Sequence, residues 1–154
     1  MTEKKQLLLF RNEGKLLATD IENVIRVLKA VFITPLPDAP QHLRGIIRYG
    51  EEVLPVIDVS VKLGGAKKKV DLSDNIILIK NSRGKFALLV DEVEGITTAG
   101  ELTGDEKTFS KGDLIKGVAV SGEELVFLGD SEKFFIESDR ILVDEAAEKV
   151  TVRL

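Results

Sequence analysis

Gly45-Ile46-Ile47-Arg48-Tyr49, then Gly50-Glu51, then Glu52-Val53-Leu54-Pro55-Val56-Ile57-Asp58 is the stretch on which the fold turns. Two runs rich in β-branched residues, separated by a two-residue turn that opens on glycine, read as a β-hairpin. Val53, Leu54, Val56 and Ile57 are nearly all apolar where a half-exposed strand would alternate, so this strand is expected to be buried on both faces. Working outward, the same unit recurs. Leu7 to Phe10 and Lys15 to Ala18 flank Arg11-Asn12-Glu13-Gly14, and Ile76 to Ile79 and Phe86 to Val90 flank Asn81-Ser82-Arg83-Gly84. Lys116 to Val120 and Leu125 to Leu128 flank Ser121-Gly122-Glu123-Glu124. Each intervening cluster is a turn-former. Hairpins at this spacing predict a compact all-β barrel or a pair of barrels, although no residue-level repeat is visible.

The segments between hairpins are less uniform. Ile21, Val24, Ile25, Leu28, Val31 and Phe32 follow a helical period. Their β-branching, and Pro35 and Pro37 beyond them, oppose a helix. The reading is one helical turn from Ile21, then a strand to about Ile33. Pro35 to Pro40 is an extended connector, and Val59 to Gly64 a helical turn ending on glycine. Ala66-Lys67-Lys68-Lys69 reads as a solvated basic loop. Asp91 to Ile96 reads as the preceding strand running on into a bend, and Thr97 to Asp113 as a long loop. Phe134 to Leu154 mixes helical signals (Asp144 to Lys149) with strand signals and is left unassigned.

Composition narrows the chemistry. The chain has 154 residues, 44% hydrophobic and 31% charged, with a net charge of −4. It can bury a core, and it lacks the basic surface that phosphate backbones or anionic lipid attract. There is no cysteine and one histidine, His42. Disulfides, thiolate nucleophiles, Cys-ligated metals and any site needing two imidazoles are therefore excluded. The apolar run Leu7 to Phe10 is too short for a signal-peptide core, and no window approaches the roughly 20 apolar residues of a membrane helix. A cytoplasmic protein without membrane insertion is expected.

Carboxylates are the plentiful reactive groups: Glu51, Glu52 and Asp58 near one hairpin, Asp91, Glu92 and Glu94 near another. None has the spacing of a calcium loop, so turn, cap and surface roles are expected. Asp58 is expected to hydrogen-bond the turn that follows it. His42 is the only candidate general base and has no nucleophile in a recognisable motif beside it. Gly45, Gly50 and Gly117 stand where the chain must turn or another backbone must come close. No catalytic residue, metal or cofactor is expected. The rival reading is a small metabolite- or metal-binding barrel that uses Asp91, Glu92 or Glu94.

Pro37-Asp38-Ala39-Pro40-Gln41-His42-Leu43-Arg44-Gly45-Ile46-Ile47, with Glu52 to Val59 and Leu63-Gly64, resembles the CheW family of chemotaxis coupling proteins. Ala87 to Ile96 and Leu114 to Leu128 continue the resemblance, which spans residues 6–136 and leaves 137–154 as a C-terminal extension. It implies two SH3-like five-stranded β-barrel lobes, intertwined and packed as one unit, without enzymatic activity. It also implies an adaptor that joins the regulatory domain of the histidine kinase CheA to the cytoplasmic tips of chemoreceptors. A CheW-like adaptor for a non-chemotaxis kinase is the alternative. By position, Val24, Arg26 and Gly45 match family residues that face the kinase. Arg48, Gly50, Ile77 and Ile96 match positions toward the receptor and the junction between barrels. Two departures stand out. The family's usual arginine at the hairpin tip is here Gly50, with Arg48 two residues earlier and on the same strand face, and Arg26 stands where glutamate is common.

Overall fold

A computed structural model describes residues 5–99, 103–105 and 114–152. The N-terminal hairpin is β1 (Gln6–Asn12) and β2 (Lys15–Asp20). A single 3-10 turn at Ile21–Asn23 leads into β3 (Val24–Lys29). The hairpin read first is β4 (Leu43–Tyr49) and β5 (Glu52–Asp58), followed by the short helix α1 (Val59–Lys62). Asp58 caps α1 by accepting from the Val61 amide at 3.3 Å, as its position in the sequence suggested. Next come β6 (Asn75–Asn81), β7 (Gly84–Val90), β8 (Glu92–Thr98) and β9 (Thr103–Asp105). The last hairpin is β10 (Ile115–Ser121) and β11 (Glu124–Gly129), and two helices end the described chain: α2 (Ser131–Phe134) and α3 (Glu137–Val152).

The strands form two sheets, ordered β8-β1-β2-β11-β10-β9 and β3-β6-β7-β5-β4. Each is built on one plan. Two antiparallel hairpins meet through a parallel pairing of their second strands, β2 with β11 in the first sheet and β5 with β7 in the second. A further strand, β8 or β3, pairs with the outer side of one hairpin. The second sheet closes on itself where Thr34, just beyond β3, bridges to Ile46 of β4 by reciprocal amide bonds of 2.9 and 2.8 Å. The architecture is the expected pair of β lobes, with one strand more in the first sheet because β9 joins its edge. The first lobe takes its strands from both sides of the chain segment that builds the second.

Side-chain alternation explains why the central strands read as unbroken apolar runs. In β6, Ile77 and Ile79 face a large core shared by the two lobes, whereas Ile76 and Leu78 face the interior of the second lobe. In β7, Phe86, Leu88 and Val90 go to the shared core and Ala87 and Leu89 to the second lobe. In β2, Leu17 enters the shared core, while Leu16 and Ala18 line the first lobe. A strand buried on both faces cannot afford polar residues at alternate positions.

Four sequence expectations are corrected. Asp91 to Ile96 does not continue β7 through a bend; β8 crosses to the first sheet and pairs with β1. Strand structure within the segment read as a loop extends through Thr98 and returns at Thr103–Asp105; the remainder of that segment lies outside the described residues. The strand expected to reach Ile33 ends at Lys29, because the chain must turn across the barrel mouth to bridge at Thr34. The unassigned end is a helix of 16 residues, seated by Val143 and Ala146 on the shared core.

Candidate functional site

The edge strand β3 carries two of the expected kinase-facing residues. Its pairing with β6 shifts between Val24 and Arg26, opposing Val24 to Ile79 and Arg26 to Leu78. Ile25 is thus the extra residue of a β-bulge. Ile79 faces the shared core and Leu78 the second lobe, so Val24 and Arg26 lie on opposite faces of the sheet. Val24 packs on the shared core, and Arg26 projects from the other face, exposed.

Gly45 is buried on β4, and its φ of +149° accompanies a very close approach. A Cβ here would sit 2.1 Å from the Thr34 carbonyl oxygen, at the bridge that closes the second sheet. This glycine acts through closure of the barrel; it offers no surface to a partner.

The expected receptor-facing residues separate in the same way. Ile77 is fully buried in the shared core and cannot touch a partner, so direct contact by this residue is corrected to a packing role. Ile96, on β8 of the other sheet, is 59% exposed. Arg48 and Gly50 come together at the β4–β5 tip, where Arg48 Nε donates to the Gly50 carbonyl at 3.1 Å. Gly50 has φ +62°, the left-handed conformation that opens a hairpin turn. With Glu51 as the second turn residue, the tip is a two-residue turn of the type expected from its sequence.

The charges divide into two groups. Arg11 binds Glu94 and also Glu124, the latter through bonds of 2.6 and 2.8 Å, tying β1 to β8 and to the β10–β11 tip. Arg44 binds buried Asp58 at 3.1 Å. Arg83 pairs with Glu132, and Arg140 with Asp144 at 2.8 Å. Among the described arginines, only Arg26 and Arg48 hold no carboxylate.

The acidic hairpins are engaged inside the fold. Asp91 takes Lys68 and accepts from the Glu13 amide at 2.7 Å, and Glu94 takes Arg11. Lys68 also reaches Asp74 at 3.1 Å. Burial opposes its charge, but the bonds from Asp91 and Asp74 outweigh that and raise it above the ordinary lysine range. The basic loop is therefore a solvated turn only at Lys67 and Lys69; Lys68 is the hub that fastens it. Among the described residues, no group of three or more acidic or histidine side chains is arranged to hold a metal ion. Sequence reasoning missed these hubs. Arg11 and its partners are separated by 83 and 113 positions, and no local signal links them.

His42 Nε2 lies 2.6 Å from Asp139 Oδ1 on α3. Burial would raise the Asp139 carboxyl, but the bonds from His42 and from the Ile136 amide hold it below the usual carboxylate range. The sole imidazole is thus paired with a helix, with no nucleophile beside it.

Comparison with known proteins agrees with this architecture. Residues 6–138 match the CheW-like domain. The chemotaxis protein CheW of Thermotoga maritima is 26% identical over 136 residues, covering 86% of this chain and 88% of that one. The CheW of Rhizobium meliloti is 28% identical over 139 residues, covering 84% and 90%. The crystal structure of the scaffolding protein TtCheW from Thermoanaerobacter tengcongensis superposes with a TM-score of 0.76 at 23% identity, covering 88% of this chain and 95% of that one. No helix among the described residues is long and apolar enough to cross a membrane. With two interleaved β lobes and a sequence match over most of its length, the chain belongs to the CheW-like domain family.

Proposed function

We propose that this chain is a non-enzymatic scaffold that couples the cytoplasmic tips of chemoreceptors to the regulatory domain of the histidine kinase CheA. The observation that carries this reading is the pair of exposed arginines without carboxylate partners, Arg26 and Arg48, in a molecule whose other described arginines are all paired. A guanidinium left free at a surface is available for a bidentate contact with an acidic group of another protein.

The kinase surface is proposed at the β3 edge, with Val24 supplying apolar area and Arg26 the charge that selects the partner. Because the bulge sets these side chains on opposite faces, the partner must straddle the edge of β3. The receptor surface is proposed at Arg48, Gly50 and Ile96. Gly45 and Ile77 support the two surfaces from beneath. The proposed site of action is the cytoplasm.

Titration of the purified chain with its cognate CheA tests this directly. Binding is expected, and its absence at roughly tens of micromolar overturns the reading. Arg48→Ala is expected to weaken one partner by about 2–5 kcal/mol, as for loss of one member of a partly desolvated charge pair. The melting temperature should stay unchanged, because Arg48 bonds only its own turn. If Arg48→Ala binds both partners like the parent, Arg48 is an ordinary solvated strand residue.

A further inference from the structure

Asp139 is the most deeply buried carboxylate of the C-terminal segment, with a side chain 2% accessible, and its partner His42 retains 23% accessibility. One oxygen takes the imidazole at 2.6 Å, and the other accepts the Ile136 amide at 3.1 Å, capping the start of α3. This segment leaves β11 of the first lobe and straps across the second. Asn81 of β6 donates to the Ser131 and Phe135 carbonyls at 3.0 and 2.9 Å, and Lys62 of α1 donates to the Lys133 carbonyl at 3.3 Å.

We propose that the His42–Asp139 pair is a protonation-controlled latch, which holds α3 against the two lobes when the imidazole is charged and loosens it when the imidazole is neutral. This inference rests on the geometry of the strap and is independent of the proposed function. Histidine is the side chain that changes charge between about pH 5 and 8. A bond between two ionised groups is roughly twice as strong as its neutral counterpart. The groups acting on Asp139 are His42, from the connector before β4, and Lys62, from α1. Burial pushes the Lys62 ammonium below the usual lysine range. Arg44, two residues from His42, is occupied by Asp58. Loss of the imidazolium thus leaves Lys62 as the one remaining cation acting on a carboxylate with almost no access to water.

Hydrogen exchange of the full chain at about pH 6 and pH 8, corrected for intrinsic exchange, reads the latch. Protection of the α3 amides between Arg140 and Ala146 should fall about three- to tenfold at the higher pH, the size expected when a charge-assisted bond becomes a neutral one. The β6–β7 amides in the same sample should not change. His42→Gln, which keeps a donor without the charge, should abolish the pH dependence, and Lys62→Gln should retain it. No change in the parent, an equal change in His42→Gln, or loss of the change in Lys62→Gln would each overturn the proposal.

Discussion

At the scale of single residues, the two glycines of the β4–β5 hairpin have unequal reasons for being glycine. At position 45 the obstacle is a neighbouring backbone, the Thr34 carbonyl, which cannot move without opening the barrel. Gly45→Ala should destabilise the protein by at least about 3 kcal/mol, measured by denaturant titration. Any loss of kinase binding in that variant would follow from the damaged lobe. At position 50 the surroundings are open, and only the backbone angle of +62° resists a side chain. Gly50→Arg, which restores the family's usual residue, should therefore fold, at a cost of about 1–2 kcal/mol in thermal or chemical melts. The sequence could mark both glycines as special. It could not separate them, because Thr34 is not beside Gly45 in the chain and its position depends on closure of the whole sheet.

At the scale of elements, the hairpins were legible because turn chemistry and apolar runs are local signals. The parallel joins between β2 and β11 and between β5 and β7 were not, since nothing in a strand's composition names a distant partner. The helix α3 was missed for a related reason. Val150, Thr151 and Val152 give its end a strand-like composition, and the face it buries is fixed by a core assembled elsewhere. Its docking has a predictable acid limb. Asp139 is held below the ordinary carboxylate range in the folded chain, so the unfolded chain takes up protons first as the pH drops. Its contribution is complete above about pH 4 and lost below. Glu132, lowered by its bonds to Ser82, acts in the same direction where α2 meets the β6–β7 turn. Melting temperatures taken from neutral pH downward should fall more steeply for the parent than for Asp139→Asn, which begins less stable and has less to lose.

At the scale of the whole molecule, the core shared by both sheets makes the lobes one cooperative unit. Phe86 is fully buried there and stacks on Phe135 with ring centroids 5.3 Å apart. Phe86→Ala should cost about 3–5 kcal/mol. It should lower a single transition without splitting it. The chain's one tyrosine, Tyr49, packs in the second lobe and there is no tryptophan, so tyrosine emission reports that lobe while far-ultraviolet circular dichroism reports both. The two curves should coincide in parent and variant; divergent midpoints would show that the lobes unfold separately. The interleaving that couples them also orders their assembly during synthesis. Residues 24–90 leave the ribosome with every strand of the second sheet, whereas Leu16 must wait for Val126 before β2 can pair with β11. At translation speeds that interval is on the order of ten seconds. Throughout it the nascent β1–β2 hairpin presents a bare edge to any passing strand, and the lobe gathered from both sides of the chain is the one that chaperones have most reason to guard.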